Sequence, residues 1–87
     1  MKSEQVRRGT LKLAGAPAVL SHVRLSFDGR DSYDEVAIRT AGLEWNVLAS
    51  FLNEHQAVAV FSAVNDTAVE TTGDLDDTVR EAVAGAR

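Results

Sequence analysis

The stretch that decides the fold is Val19-Leu20-Ser21-His22-Val23-Arg24-Leu25-Ser26-Phe27. It is the clearest period-2 run in the chain. Val19, Val23, Leu25 and Phe27 (with Ser21) share one side, and Leu20, His22, Arg24 and Ser26 the other. A half-buried strand follows from that alternation. Tyr33 to Thr40 alternates again, with Val36 and Ile38 opposed to Tyr33, Glu35 and Arg39. The turn formers Asp28-Gly29-Arg30-Asp31-Ser32 lie between the two runs.

Cross-strand partners share a face, so a good register sets apolar against apolar. Leu25 opposite Val36 and Val23 opposite Ile38 satisfies this, with a four-residue loop from Gly29 to Ser32. That register puts His22 opposite Arg39, Arg24 opposite Ala37 and Ser26 opposite Glu35 on the other face. A one-residue slip would set His22 against Ile38 and Arg24 against Val36, and is rejected on that ground.

Working outward, residues 1–9 are polar and aperiodic and read as a flexible tail, leaving residues 10–87 as one α+β domain. Thr10 to Ala14 alternates briefly, and Gly15-Ala16-Pro17 breaks the strand. On the other side, Leu43, Val47, Leu48, Phe51 and Leu52 recur at helical spacing and predict a helix from Leu43 to His55. Ala57 to Val64 is apolar throughout. Its β-branched valines predict a central strand that includes Val58 and Val60. Asn65-Asp66 then suits a hairpin turn into Thr67 to Thr72. Asp74 is placed as the N-cap of a last helix, residues 75–86, with Leu75, Val79, Ala82, Val83 and Ala86 as its apolar stripe. The expected order is β-β-β-α-β-β-α: a small antiparallel sheet with two helices packed on one face.

Composition narrows the function classes. Eighty-seven residues make one core, and a chain this short hides only roughly 60–65% of its unfolded surface. There is no cysteine, which excludes disulfides and thiolate metal sites. No run approaches the ~20 apolar residues of a membrane span, and no signal peptide is visible, so a cytoplasmic protein is expected. The net charge is −4 and unevenly placed. Residues 1–42 hold seven basic and five acidic side chains, whereas residues 43–87 hold two and eight. A nucleic-acid role would therefore need a local basic patch.

Catalytic patterns are absent. Asp28, Asp31, Asp34 and Glu35 crowd one loop, but without calcium-loop spacing and with Arg30 among them. His22 and His55 are the only histidines, on separate elements, so no metal centre is expected. No serine sits in a nucleophile elbow, and the six glycines form no phosphate loop. The chain reads as non-enzymatic and cofactor-free.

The predicted register gathers His22, Arg24, Tyr33, Glu35 and Arg39 on the sheet face away from the core, with Trp45 near the start of the next element. Val36-Ala37-Ile38-Arg39 followed by Leu43-Glu44-Trp45-Asn46-Val47-Leu48 resembles the strand-then-helix step of single-stranded-DNA-binding transcriptional coactivators over that short span. The resemblance implies single-strand binding on the open sheet. Three functions follow from these features. The leading one is a protein-interaction module, self-associating as a homodimer and binding a protein partner. The second is a single-stranded nucleic-acid binder that uses Arg24, Arg39 and Tyr33. The third is an acidic inhibitor or nucleic-acid mimic built on the acidic C-terminal half.

Overall fold

The computed structural model describes residues 2–28, 31–40, 42–66 and 72–86. Four strands come first: β1 (Lys2–Leu13), β2 (Ala16–Phe27), β3 (Asp31–Thr40) and β4 (Asn46–Leu52). Two helices follow, α1 (Glu54–Asp66) and α2 (Thr72–Gly85). The strands form one antiparallel sheet in chain order, β1-β2-β3-β4. The α+β class stands, with the order β-β-β-β-α-α in place of β-β-β-α-β-β-α.

Residues 2–9, expected as a tail, belong to β1 and pair with β2 from Lys2↔Ser26 onward. Their polarity suits an edge strand, whose outer backbone faces water. A bulge between Gln5 and Arg7 further blunts that edge. Ala14 (φ 51°) and Gly15 (φ 81°) close the β1–β2 hairpin. Both residues have positive φ, as a two-residue type I′ turn requires.

The β2–β3 register differs from the apolar-matching one by three residues. Leu20 faces Ile38, His22 faces Val36, Arg24 faces Asp34 and Leu25 faces Tyr33. The helices consequently cover Leu20 and His22 together with Val36 and Ile38, all buried. The Val19/Val23/Leu25/Phe27 stripe points the other way. Apolar matching sets His22 and Arg24 on the wet face, away from Asp34. In the folded chain they satisfy one another and can occupy the covered side.

The helix expected over 43–55 is instead a turn followed by β4. Gly42 (φ 77°) and the Leu43 N–H donating to the Thr40 carbonyl at 3.1 Å make the reversal. The apolar spacing there serves both faces of a strand: Leu48 and Leu52 go inward, Val47 and Phe51 outward. Register shifts opposite Asp34–Ala37 and a positive φ at Phe51 (56°) allow that split.

Val58 and Val60 lie in α1, not in a central strand. Ala57, Val60, Phe61 and Val64 are buried at helical spacing, one continuous stripe against the sheet. The helix also has a reciprocal cap. The Asn53 side chain accepts from the Gln56 N–H at 2.8 Å, and the Gln56 side chain accepts from the Asn53 N–H at 3.1 Å. Burial and capping together outweigh the modest strand preference of valine. His55, expected at a helix end, is exposed in the first turn of α1.

Residues 67–71, most of the expected fifth strand, lie outside the described residues. The last helix is present with its expected stripe. Leu75 and Val79 are buried in the core, with Ala82 and Val83 against it. Asp74, expected as its N-cap, sits within its first turn. α1 packs on all four strands, and α2 on α1 and β4. The result is two layers, with principal extents of 40 × 31 × 17 Å.

Candidate interaction face

Among the described residues, no helix lies over one face of the sheet. Strand alternation and the pairings assign its residues. β1 supplies Ser3, Gln5, Arg8, Thr10 and Lys12, and β2 supplies Val19, Ser21, Val23, Leu25 and Phe27. Tyr33, Glu35, Ala37 and Arg39 come from β3, and Val47 and Phe51 from β4, with Trp45 just before it. A shallow groove crosses the middle of this face, lined by Val23, Leu25, Ala37, Trp45 and Val47 together with the polar Ser3, Gln5, Ser21 and Glu35.

Beside Gln5, Arg8, Lys12, Glu35 and Arg39, this face carries large aromatic and aliphatic side chains, and several are in water. Phe51 is 79% exposed, Val47 53%, Trp45 42% and Phe27 38%. Tyr33 lies between Phe27 (ring centroids 5.6 Å apart, stacked) and Phe51 (4.5 Å, tilted). The Arg39 guanidinium sits 4.8 Å over the Trp45 ring. Glu35 accepts a hydrogen bond from the Ser50 hydroxyl at 3.0 Å, and Gln5 donates to Ser21 at 3.0 Å. Scattered exposed apolar residues are ordinary on a protein surface. A contiguous aromatic and aliphatic strip is not.

The predicted interaction residues divide between the two sides of the sheet. Tyr33, Glu35 and Arg39 are on the open face, as expected, and Trp45, expected at the start of a helix, lies beside them just before β4. His22 and Arg24 are not on that face. His22 is fully buried on the covered side, where its Nε2 lies 2.8 Å from Asp34 Oδ2. Arg24 grips the same carboxylate with Nε at 2.9 Å and Nη2 at 3.2 Å, and its Nη2 is 3.7 Å from Glu54. The register shift places these two here, because residues level with Val36 and Asp34 must share their face.

Burial pushes the Asp34 carboxyl up. The hydrogen bonds from Arg24 and His22 and the Arg24 charge outweigh that and hold it below the ordinary carboxylate range. Asp34 in turn raises Arg24. Among the described residues, none is a hydrogen-bond partner of His22 Nδ1. His22 and Asp34 are buried, Asp34 being only 3% exposed, and they brace the sheet under α1. Arg24 is a third exposed and lines a shallow pocket with Asp34, Asn53 and Glu54.

The acidic loop residues do not converge, since Asp34 points to the covered side and Glu35 to the open one. Among the described residues no three histidine or acidic side chains gather as a metal-binding group. No described helix is long and apolar enough to cross a membrane. The strand-then-helix resemblance is met in its first half only, because Leu43–Leu48 runs from a turn into β4.

Sequence reasoning missed Val23, Leu25, Phe27, Val47 and Phe51 as surface residues. The available signal was that β2 and β4 each carry apolar residues on both sides, whereas a single covering layer needs only one. No family model, curated protein or solved structure matches this chain.

Proposed function

We propose that this domain is a non-enzymatic protein-interaction module, with the open face of the sheet as its docking surface. One observation carries the reading: the contiguous strip of Phe27, Tyr33, Phe51, Val47 and Trp45, with Val23 and Leu25 beside it, lies on the side opposite the helices. Large apolar patches on small domains mark contact surfaces. Aromatic side chains with a nearby arginine are the usual anchors of such contacts.

Single-strand binding has less support. A stacking platform needs free ring faces. Here Tyr33 is flanked by two rings and Trp45 is overlaid by Arg39. Arg24, one of the two proposed phosphate contacts, is engaged with Asp34 on the far side.

The test uses the full chain and the variant Val47→Lys/Phe51→Lys. Both side chains are exposed, so the variant keeps the fold. Affinity capture with the wild type retains a protein partner that the variant loses. A labelled single-stranded oligonucleotide stays unbound by either at low salt, where phosphate attraction is strongest. Equal retention by both baits refutes the docking face. Oligonucleotide binding that the substitutions abolish transfers the face to nucleic acid.

A further inference from the structure

We infer that the occupant of the open face is a second copy of the same chain, docked sheet on sheet about a two-fold axis that runs across the strands. The inference deepens the docking-face reading and rests on it. Its basis is the arrangement of charge and bulk along β2 and β3.

Charge on this face is graded along the strands. Arg39 lies at one end, level with Val19, and Lys12 lies just beyond, level with Pro17. Asp31 lies at the other end, level with Phe27. Glu35 is midway, level with Val23. The spacing is symmetric: Arg39 is four residues after Glu35 and Asp31 four before it, just as Val19 and Phe27 lie four either side of Val23.

Two simple ways exist to lay this face on itself. A two-fold axis along the strands sets the Arg39 end against the Arg39 end and is repulsive. An axis across the strands, through the level of Val23 and Glu35, reverses them. Arg39 then meets Asp31 of the partner subunit, and this happens twice per dimer. Val19 meets Phe27 of the partner subunit, and the apolar strip of β2 lies on itself. Such an interface is self-complementary, as a two-fold contact must be. Glu35 falls on the axis and faces Glu35 of the partner subunit, a like-charge meeting that the two Arg39–Asp31 pairs outnumber and that Ser50 moderates by holding the carboxylate toward β4.

The area suffices. Four strands ~4.8 Å apart and ~10 residues long at ~3.3 Å each present ~650 Å² in projection. Two copies thus cover ~1,300 Å², within the ~1,200–2,000 Å² of stable specific interfaces. Aligned sheet-on-sheet packing, with strands crossing at ~30°, is the ordinary way for two such faces to meet.

Sedimentation of the full chain at tens of micromolar reads the outcome. Wild type is expected as a dimer. Arg39→Glu and Asp31→Arg, both at exposed positions, each create two like-charge meetings and raise the dimer dissociation constant at least ~tenfold. Mixed one to one, the two variants regain the dimer. In the heterodimer one site pairs the two substituted residues, and the other pairs the two native ones. Recovery on mixing also shows that each variant is folded. Single variants that dimerise like wild type, or a mixture that stays monomeric, overturn the arrangement. So does a monomeric wild type, and an anilinonaphthalene dye then separates the two readings. Dye binding that Val47→Lys/Phe51→Lys abolishes leaves the docking face standing without the second copy. Absence of dye binding removes both.

Discussion

Replacing Asp34 with alanine removes the one carboxylate that meets His22 Nε2 at 2.8 Å and the Arg24 guanidinium at 2.9 and 3.2 Å. His22 has no exposed surface, and its Nδ1 already lacks a partner among the described residues. After the substitution both ring nitrogens are buried without one. Leaving a buried hydrogen-bonding group unmet costs about 1–3 kcal/mol. A chain of this length holds roughly 4–13 kcal/mol in all, so the loss is a large share of its stability. With a urea slope of about 1 kcal/mol per molar, the unfolding midpoint falls by about 1–3 M.

Circular dichroism in urea measures that shift. His22→Leu/Asp34→Leu is expected to lose less than Asp34→Ala alone, because no buried donor is left unmet. Arg24, a third exposed, can turn toward Glu54 and water. The reaction to acid follows from the same carboxyl. Its folded-state pKa is lowered, so the unfolded chain takes up the proton first, near pH ~4. The stabilisation is complete above that pH and is lost as the pH falls through the lower folded value. The gap between wild type and Asp34→Ala should therefore close only in strong acid. An unchanged midpoint for Asp34→Ala at neutral pH, or a double variant weaker than the single one, would refute this account.

Three further outcomes are expected. Gly9→Ala should cost no more than about 1 kcal/mol in a thermal melt, because the exposed Asn65 side chain can turn away from the 2.6 Å approach to its Oδ1 and only the 3.2 Å approach to the Phe61 ring remains. Asn53→Ala removes the reciprocal cap of α1 and should cost about 1 kcal/mol, read as a lower melting temperature. At Phe51, where φ is 56°, glycine should be more stable than alanine by about 1 kcal/mol. Neither Phe51 variant should approach the 3–5 kcal/mol loss, roughly, of a buried aromatic, since the ring is exposed and touches Tyr33. Equal melts for the glycine and alanine variants would show that the backbone there is unstrained.

The two central strands and the last helix were legible because their patterns have only one reading: clean alternation in residues 19–27 and 33–40, and the Leu75/Val79/Ala82/Val83 stripe. The register was not. Both sides of β2 carry apolar residues, and polarity misdirects when His22, Arg24 and Asp34 satisfy one another out of water. The 43–64 region exchanged helix for strand for a related reason. Val47/Leu48 and Phe51/Leu52 look like a helical stripe because a strand with two apolar faces places adjacent apolar residues in pairs. The charge-free run after them looks like a strand until Asn53 and Gln56 are recognised as a reciprocal cap. Residues 2–9 gave no signal because an edge strand needs little hydrophobic alternation. Within the candidate face, Tyr33, Arg39 and Trp45 were found. Phe51 was assigned to the core, and His22 to the surface.

The chain-order sheet also bears on how the protein assembles. Each strand pairs with the one before it, so every ladder can close through a short connection, with little loop entropy to overcome. Low sequence separation between contacts goes with fast folding. Nothing requires the chain's two ends to find each other first. During synthesis all four strands leave the ribosome before α1, so a growing meander would show two greasy surfaces. Only one of them is later roofed by the chain's own helices. For that interval α1 acts as a built-in lid on half of the problem, and its rate of docking sets how long nascent sheets stay adhesive to one another.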